Sequence, residues 1–189
     1  MNPSHLRTAR LILRPWRDDD LPAFTALNAD PRVMEFFPAR WSPDESAAIL
    51  ELMRERFAER GFGVWAAERI DTGVGAGVFV GMLGLSVPSF PAPFTPCVEI
   101  LWRLRAEHWG QGLATEGARA ALSFGFDRLG LDEIVAFTTT ANARSRRVME
   151  KLGMHRAPAE DFLHPGLPDG HPLRPHVLYR ARHPRSAVG

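Results

Sequence analysis

Hydrophobic and polar positions divide the chain into alternating strand-like and helix-like stretches. Leu11-Ile12-Leu13-Arg14 follows Arg7-Thr8-Ala9-Arg10 with partial alternation and predicts a first strand. Asp18-Asp19-Asp20 opens a predicted helix through about Asn28, since carboxylates suit the positive end of a helix dipole, and Asp30-Pro31 breaks it. Ser42-Pro43-Asp44-Glu45 combines a capping serine, a first-turn proline and the glutamate of a capping box. Ile49, Leu52, Met53 and Phe57 follow at helical spacing, and Gly61 ends the helix. Residues 62–69 and 78–87 read as two strands joined by a turn bearing Gly73, Gly75 and Gly77. Residues 88–96 hold four prolines in nine residues and predict an irregular loop. A fourth strand spans residues 98–104. A long helix covers 112–129, with Ala114, Ala118, Ala121 and Gly125 as a small-residue side and Gly130 as its stop. A fifth strand over 132–139 is rich in β-branched residues, a short helix over 143–152 stops at Gly153, and a last strand lies around 176–180. This order predicts an α+β (mixed α/β) sheet flanked by helices.

Composition narrows the class. The chain has 189 residues, 45% of them hydrophobic, enough for one domain with one core. Its 23 basic and 22 acidic residues give a net charge of +1, which argues against a dedicated nucleic-acid binder. Apolar runs are too short for a membrane span, and no apolar leader segment follows Met1. The single cysteine, Cys97, suits a reducing cytoplasm. It has no partner histidine at a recognisable spacing, and the nearby Glu99 disfavours its thiolate, so an inert thiol is expected. His164, His171 and His176 raise a metal site, but proline follows two of them and no zinc spacing is met, so no metal is expected.

The segment Trp109-Gly110-Gln111-Gly112-Leu113-Ala114-Thr115 runs from a predicted strand straight into a predicted helix. Unpaired N–H groups and the dipole of a helix start make an anion site, and glycines let a phosphate approach the backbone. Three readings compete: a turn without a ligand, a dinucleotide fingerprint, and a coenzyme A loop. The fingerprint fails because Thr115 stands where a third glycine or alanine belongs. No lysine followed by serine or threonine is present for a P-loop here, and the turn over 71–77 lacks both that lysine and a following helix, which leaves it a hairpin.

Residues 98–154 resemble the acyl-CoA-binding half of the GNAT acetyltransferase superfamily, whose loop has the form Gln/Arg-x-x-Gly-x-Gly/Ala. Gly112 and Ala114 match its last two fixed positions. Trp109 replaces the usual Gln or Arg, as in the subgroup similar to ribosomal-protein N-terminal acetyltransferases. The opening Thr8-Ala9-Arg10-Leu11-Ile12-Leu13-Arg14-Pro15 and the stretch Asn142-Ala143-Arg144-Ser145-Arg146-Arg147-Val148-Met149-Glu150-Lys151-Leu152-Gly153-Met154 also resemble that subgroup, the latter departing at Met154.

The resemblance implies a GNAT fold, a mostly antiparallel sheet splayed between its fourth and fifth strands. Acetyl-CoA is the implied co-substrate, its pantetheine arm pairing with backbone at Leu101, Trp102, Arg103 and Leu104. Its pyrophosphate would be held by amides of Gln111, Gly112, Leu113, Ala114 and Thr115. Leu101 stands where relatives often have glycine, which bears on the bulge that opens the strands. Asn142 is implied to bond the pantetheine and Ser145 to meet the leaving thiolate; the alternative for Asn142 is a helix cap alone. Arg144, Arg146 and Arg147 are either a solvated helix face or supply one contact to the 3′-phosphate, with Arg147 as the candidate taken. Glu99 is the preferred general base, with a structural or substrate-orienting carboxylate beside a water relay as the equal alternative. His108 is read as structural. Phe36, Phe37, Trp41, Phe90, Phe94 and Tyr179 are candidates for the acceptor end, with plain core packing as the alternative.

One GNAT domain over residues 5–181 and a disordered tail over 182–189 are expected. The predicted reaction is acetylation of a primary amine, either a protein N-terminus or a small molecule. The rivals are an acyl-CoA sensor without catalysis and a nucleotide-binding α/β protein. The expected state is a cytoplasmic monomer or homodimer that binds neither nucleic acid nor membrane.

Overall fold

In the computed structural model of the chain, residues 5–71 and 77–183 are described. Nine strands form one sheet in the order β1-β2-β3-β4-β5-β6-β9-β7, with β8 also paired to β9. The strands are β1 (Leu6–Arg7), β2 (Leu11–Arg14), β3 (Val64–Arg69), β4 (Val78–Ser86), β5 (Glu99–Leu104), β6 (Glu133–Thr139), β7 (His155–Arg156), β8 (Phe162–Leu163) and β9 (Pro175–Arg182). The helices are α1 (Leu21–Ala29), α2 (Pro43–Arg60), α3 (Leu113–Asp127) and α4 (Ala143–Lys151). All strand pairs are antiparallel except β5 with β6. β9 continues through Arg182, where a disordered tail was expected to begin; Glu133 lies opposite and binds its guanidinium. The rest of that tail and most of the glycine-rich turn lie outside the described residues.

Local signals set several element ends. Ser42 accepts the Glu45 N–H while the Glu45 carboxylate accepts the Ser42 N–H, and Gly61 closes α2 in the left-handed region at φ 71°. Residues 18–20 form a 3-10 turn rather than the first turn of α1, since Asp20 is buried on Arg14 and Arg17.

Two apolar clusters cover opposite faces of the sheet. Ile100 and Leu104 of β5 pack with Leu113, Ala118 and Ala121 of α3. The opposite face joins Val64, Ala66 and Met82 to Phe24 and Leu27 of α1 and Leu50 and Met53 of α2, with Leu101 beside them. The strand period of two therefore turns Glu99, Leu101 and Arg103 toward the α1/α2 side. The predicted small side of α3 lets the helix lie close: a Cβ on Gly125 would stand 2.5 Å from Ile134 Cδ1.

Candidate active site between β5 and β6

β5 and β6 diverge almost as soon as they meet. Their register contains one pair, Glu99 with Val135, and the Val135 N–H donates to the Val98 carbonyl at 2.9 Å. Past that point the β6-facing edge of β5 is free for another extended chain. On its other edge β5 pairs with β4 in unbroken register, so Leu101 introduces no bulge there; the bulge lies between β3 and β4.

The divergence opens a cavity of about 590 Å³. It runs from Glu99 along β5 to the start of α3, with β6 and α4 on one side and the segment after α1 on the other. Gly110 and Gly112 both adopt left-handed backbone, at φ 72° and 78°, and turn the chain into α3. Gly112 is the N-cap of α3 and has no side chain to satisfy the first amides. Those amides are open to an anion, the arrangement that the helix dipole favours.

Trp109 and Arg10 hold this loop. The Trp109 indole N–H donates to the Leu104 carbonyl at 2.8 Å, tying the loop to the end of β5. Arg10 donates to the Gln111 carbonyl at 2.9 Å and pairs with Glu116 in the first turn of α3. Thr8 and the Arg10 amide also donate to Glu116. Arg10 and Glu116 thus support the loop, a role that the segment Thr8-Ala9-Arg10 does not display in sequence because its partner lies 106 residues away.

The cavity gathers Glu99, Leu101, Trp102, Arg103, Leu104, Gly112, Leu113, Ala114, Thr115, Asn142, Ser145 and Arg147, together with Phe36 and Phe37. Five other candidates, Gln111, Trp41, Phe90, Phe94 and Tyr179, lie outside its lining. The Gln111 side chain is taken up by Arg69 and the Glu107 carbonyl. Trp41 stands behind Arg103, and Phe94 packs on Phe90, Phe137 and Phe162. Tyr179 is 4% exposed in the α3-side core, because it shares its strand face with Val177 and Ala181 rather than with cavity-lining His176. Phe137, Thr139, Lys151 and His164 line the cavity without having been singled out as acceptor or cofactor residues, and Arg144, one of the three arginines offered for the 3′-phosphate, lines it too.

The Glu99 carboxyl is pushed up to about 8 by burial alone, and no hydrogen bond or ion pair to it is found among the described residues. Burial first, then the Glu99 charge, raises the Cys97 thiol to about 11, which leaves it protonated at neutral pH. Asn142 does cap α4: its Oδ1 accepts the Ser145 N–H at 3.1 Å. Its Nδ2 donates to Thr138 Oγ1 at 3.0 Å, which leaves one further N–H. The Arg147 side chain is 73% exposed and 3.6 Å from Glu150, free to swing toward a ligand. His176 Nδ1–H donates to the Arg174 carbonyl, and burial lowers the pKa of both His176 and His164. Three buried polar atoms without a hydrogen-bond partner, Arg103 Nε, His108 Nδ1 and Thr139 Oγ1, belong to cavity-lining residues. Buried polar groups are normally satisfied, so these three atoms are available to a ligand in the cavity. No group of three or more residues that could hold a metal ion occurs among the described residues, and no helix there is long and apolar enough to cross a membrane.

A sheet parted beside a glycine-turned helix start, with an unpaired carboxyl at the parting point, is the arrangement that the resemblance to acyl-CoA-dependent acetyltransferases implies. The chain belongs to the GNAT acetyltransferase family: the pattern described as Acetyltransferase (GNAT) domain matches residues 10–155. The chain is 35% identical over 156 residues to the FsC-acetyl coenzyme A-N(2)-transacetylase of Aspergillus fumigatus, covering 79% of this chain and 64% of that protein. An acetyltransferase structure from Agrobacterium tumefaciens shares 26% identity and a TM-score of 0.74, over 95% of this chain and 94% of the other. The spermidine N-acetyltransferase of Vibrio cholerae, solved with CoA and spermine, shares the fold at a TM-score of 0.69 and 18% identity, over 93% and 96%. The chain is an acetyl-CoA-dependent N-acetyltransferase.

Proposed function

We propose that the cavity binds acetyl-CoA along β5 and transfers its acetyl group directly to a primary amine activated by Glu99. The observation that carries this reading is the unpaired Glu99 carboxyl at the one point where β5 and β6 still pair. Backbone of Leu101–Leu104 offers an edge to the pantetheine, and the amides from Gly112 to Thr115 meet the pyrophosphate. The remaining Asn142 N–H reaches the pantetheine, and Arg147 meets the 3′-phosphate.

The amine nitrogen attacks the thioester carbonyl carbon and gives up its proton to the Glu99 carboxylate. A tetrahedral intermediate forms, and a β5 backbone N–H supports its oxyanion. The C–S bond then breaks, and the thiolate takes a proton from the Ser145 hydroxyl, which recovers it from solvent. A carboxyl with a pKa of about 8 is a stronger base than an ordinary glutamate and still partly ionised near neutrality.

The test is release of CoA from acetyl-CoA in the presence of small amines and peptides, with the acylated product identified by mass. The reading predicts saturable turnover with the acetyl group on nitrogen. Binding of acetyl-CoA with no turnover on any amine would instead mark a sensor.

A further inference from the structure

Among the described residues two arginines are buried, and one of them is neutralised. Arg14, 4% exposed, is bridged by Asp20 at 2.7 Å and Glu68 at 2.5 Å. Arg103, 7% exposed and lining the cavity, has no carboxylate partner among the described residues. Its guanidinium lies 4.1 Å from the centre of the Phe37 ring and 4.4 Å from that of Trp41. Its Nη1 donates to Asn28 Oδ1 at 2.6 Å, and the fully buried Asn28 donates to Ser46. The relay fixes the guanidinium in place without offsetting its charge. Nε has no hydrogen-bond partner. Burial lowers its pKa to about 9, which leaves it charged at neutral pH.

A buried, unpaired cation is costly, and one held rigid beside a binding cavity is matched to an anion that arrives from outside. The rest of the lining agrees. Glu99 is its only carboxylic acid, against Arg103, Arg144, Arg147 and Lys151, although Arg144 and Arg147 pair with Glu35 and Glu150 just outside the lining. Arg144, Arg147 and Lys151 lie on α4, across from the helix start that would take the phosphates. Arg103 instead shares its face of β5 with Glu99, four residues away, which places the two Cα atoms about 13 Å apart on an extended strand. Such a lining disfavours a polycationic acceptor.

Resting on the acetyltransfer reading above, we propose that the acceptor is an amine that also carries a carboxylate, bound by the Arg103 guanidinium between Phe37 and Trp41 while its amine reacts beside Glu99. The side-chain role is separate from the backbone pairing proposed for the same residue with pantetheine.

The experiment measures kcat/KM for ω-amino acids of graded chain length, each paired with its neutral carboxamide, in wild type, Arg103→Met and Arg103→Lys. Hexanoate, which has no amine, is titrated in parallel by thermal shift in the presence of CoA. The proposal predicts at least a ten-fold preference for the carboxylate at one or more lengths. That preference is lost in Arg103→Met and partly kept in Arg103→Lys, while the Kd for CoA is unchanged in both. It also predicts that hexanoate stabilises wild type and not Arg103→Met. Equal rates for carboxylates and carboxamides at every length would overturn it, as would a preference that survives in Arg103→Met or a loss confined to CoA affinity. Absence of turnover on every amine would overturn the acetyltransfer reading instead, and the hexanoate titration would still decide whether Arg103 holds an anion.

Discussion

Glu99→Gln isolates the proposed proton acceptor, since it keeps the side chain's shape and removes its ionisation. With a carboxyl pKa of about 8, the wild-type group is ionised in about one molecule in a hundred at pH 6, one in ten at pH 7 and half at pH 8. The ratio of wild-type to variant kcat/KM, taken with one amine at saturating acetyl-CoA, cancels the amine's own titration. It should rise about fifty-fold between pH 6 and pH 8, level off above pH 9, and reach about 10²–10⁴ on the plateau expected of general base catalysis. Stability supplies a second readout. The carboxyl titrates near 4.5 when unfolded and near 8 when folded, so the folded chain holds the extra proton between those values. Wild-type stability therefore falls as pH rises through that window, by about 5 kcal/mol in total, and urea titrations of the variant should lack this slope. A rate ratio that is flat with pH would refute the assignment of Glu99 as base, even if the variant were slow.

Two other substitutions probe the loop and the core. Gly112→Asp should abolish CoA binding by calorimetry, because it sets a carboxylate beside the pyrophosphate and forces a side chain into left-handed backbone. Gly125→Val should lower unfolding stability by about 1–3 kcal/mol in urea, since its side chain would overlap Ile134 and Leu85.

What the sequence revealed depended on how local each cause was. The α2 cap was readable because Ser42 and Glu45 satisfy one another across three residues. The turn into α3 was readable because a helix start and two glycines are contiguous. β1, β7 and β8 were not, because each has two residues and exists only through a distant partner. Tyr179 was assigned to the right strand and the wrong side of it: alternation turns it into the core while His176 turns to the cavity. Trp109 is where this chain departs from the common loop pattern, and its indole bond to Leu104 explains how the loop stays anchored. Arg103 was read only for its backbone. Its side chain stands out through the carboxylate missing beside it, which no spacing in the sequence can display.

A crystal structure with bound CoA tests the central claim most directly. It should contain the pantetheine paired with β5 in the gap that β6 leaves beyond Glu99, and the pyrophosphate on the amides from Gly112 to Thr115. CoA bound elsewhere, or with its phosphates away from the start of α3, would contradict the account.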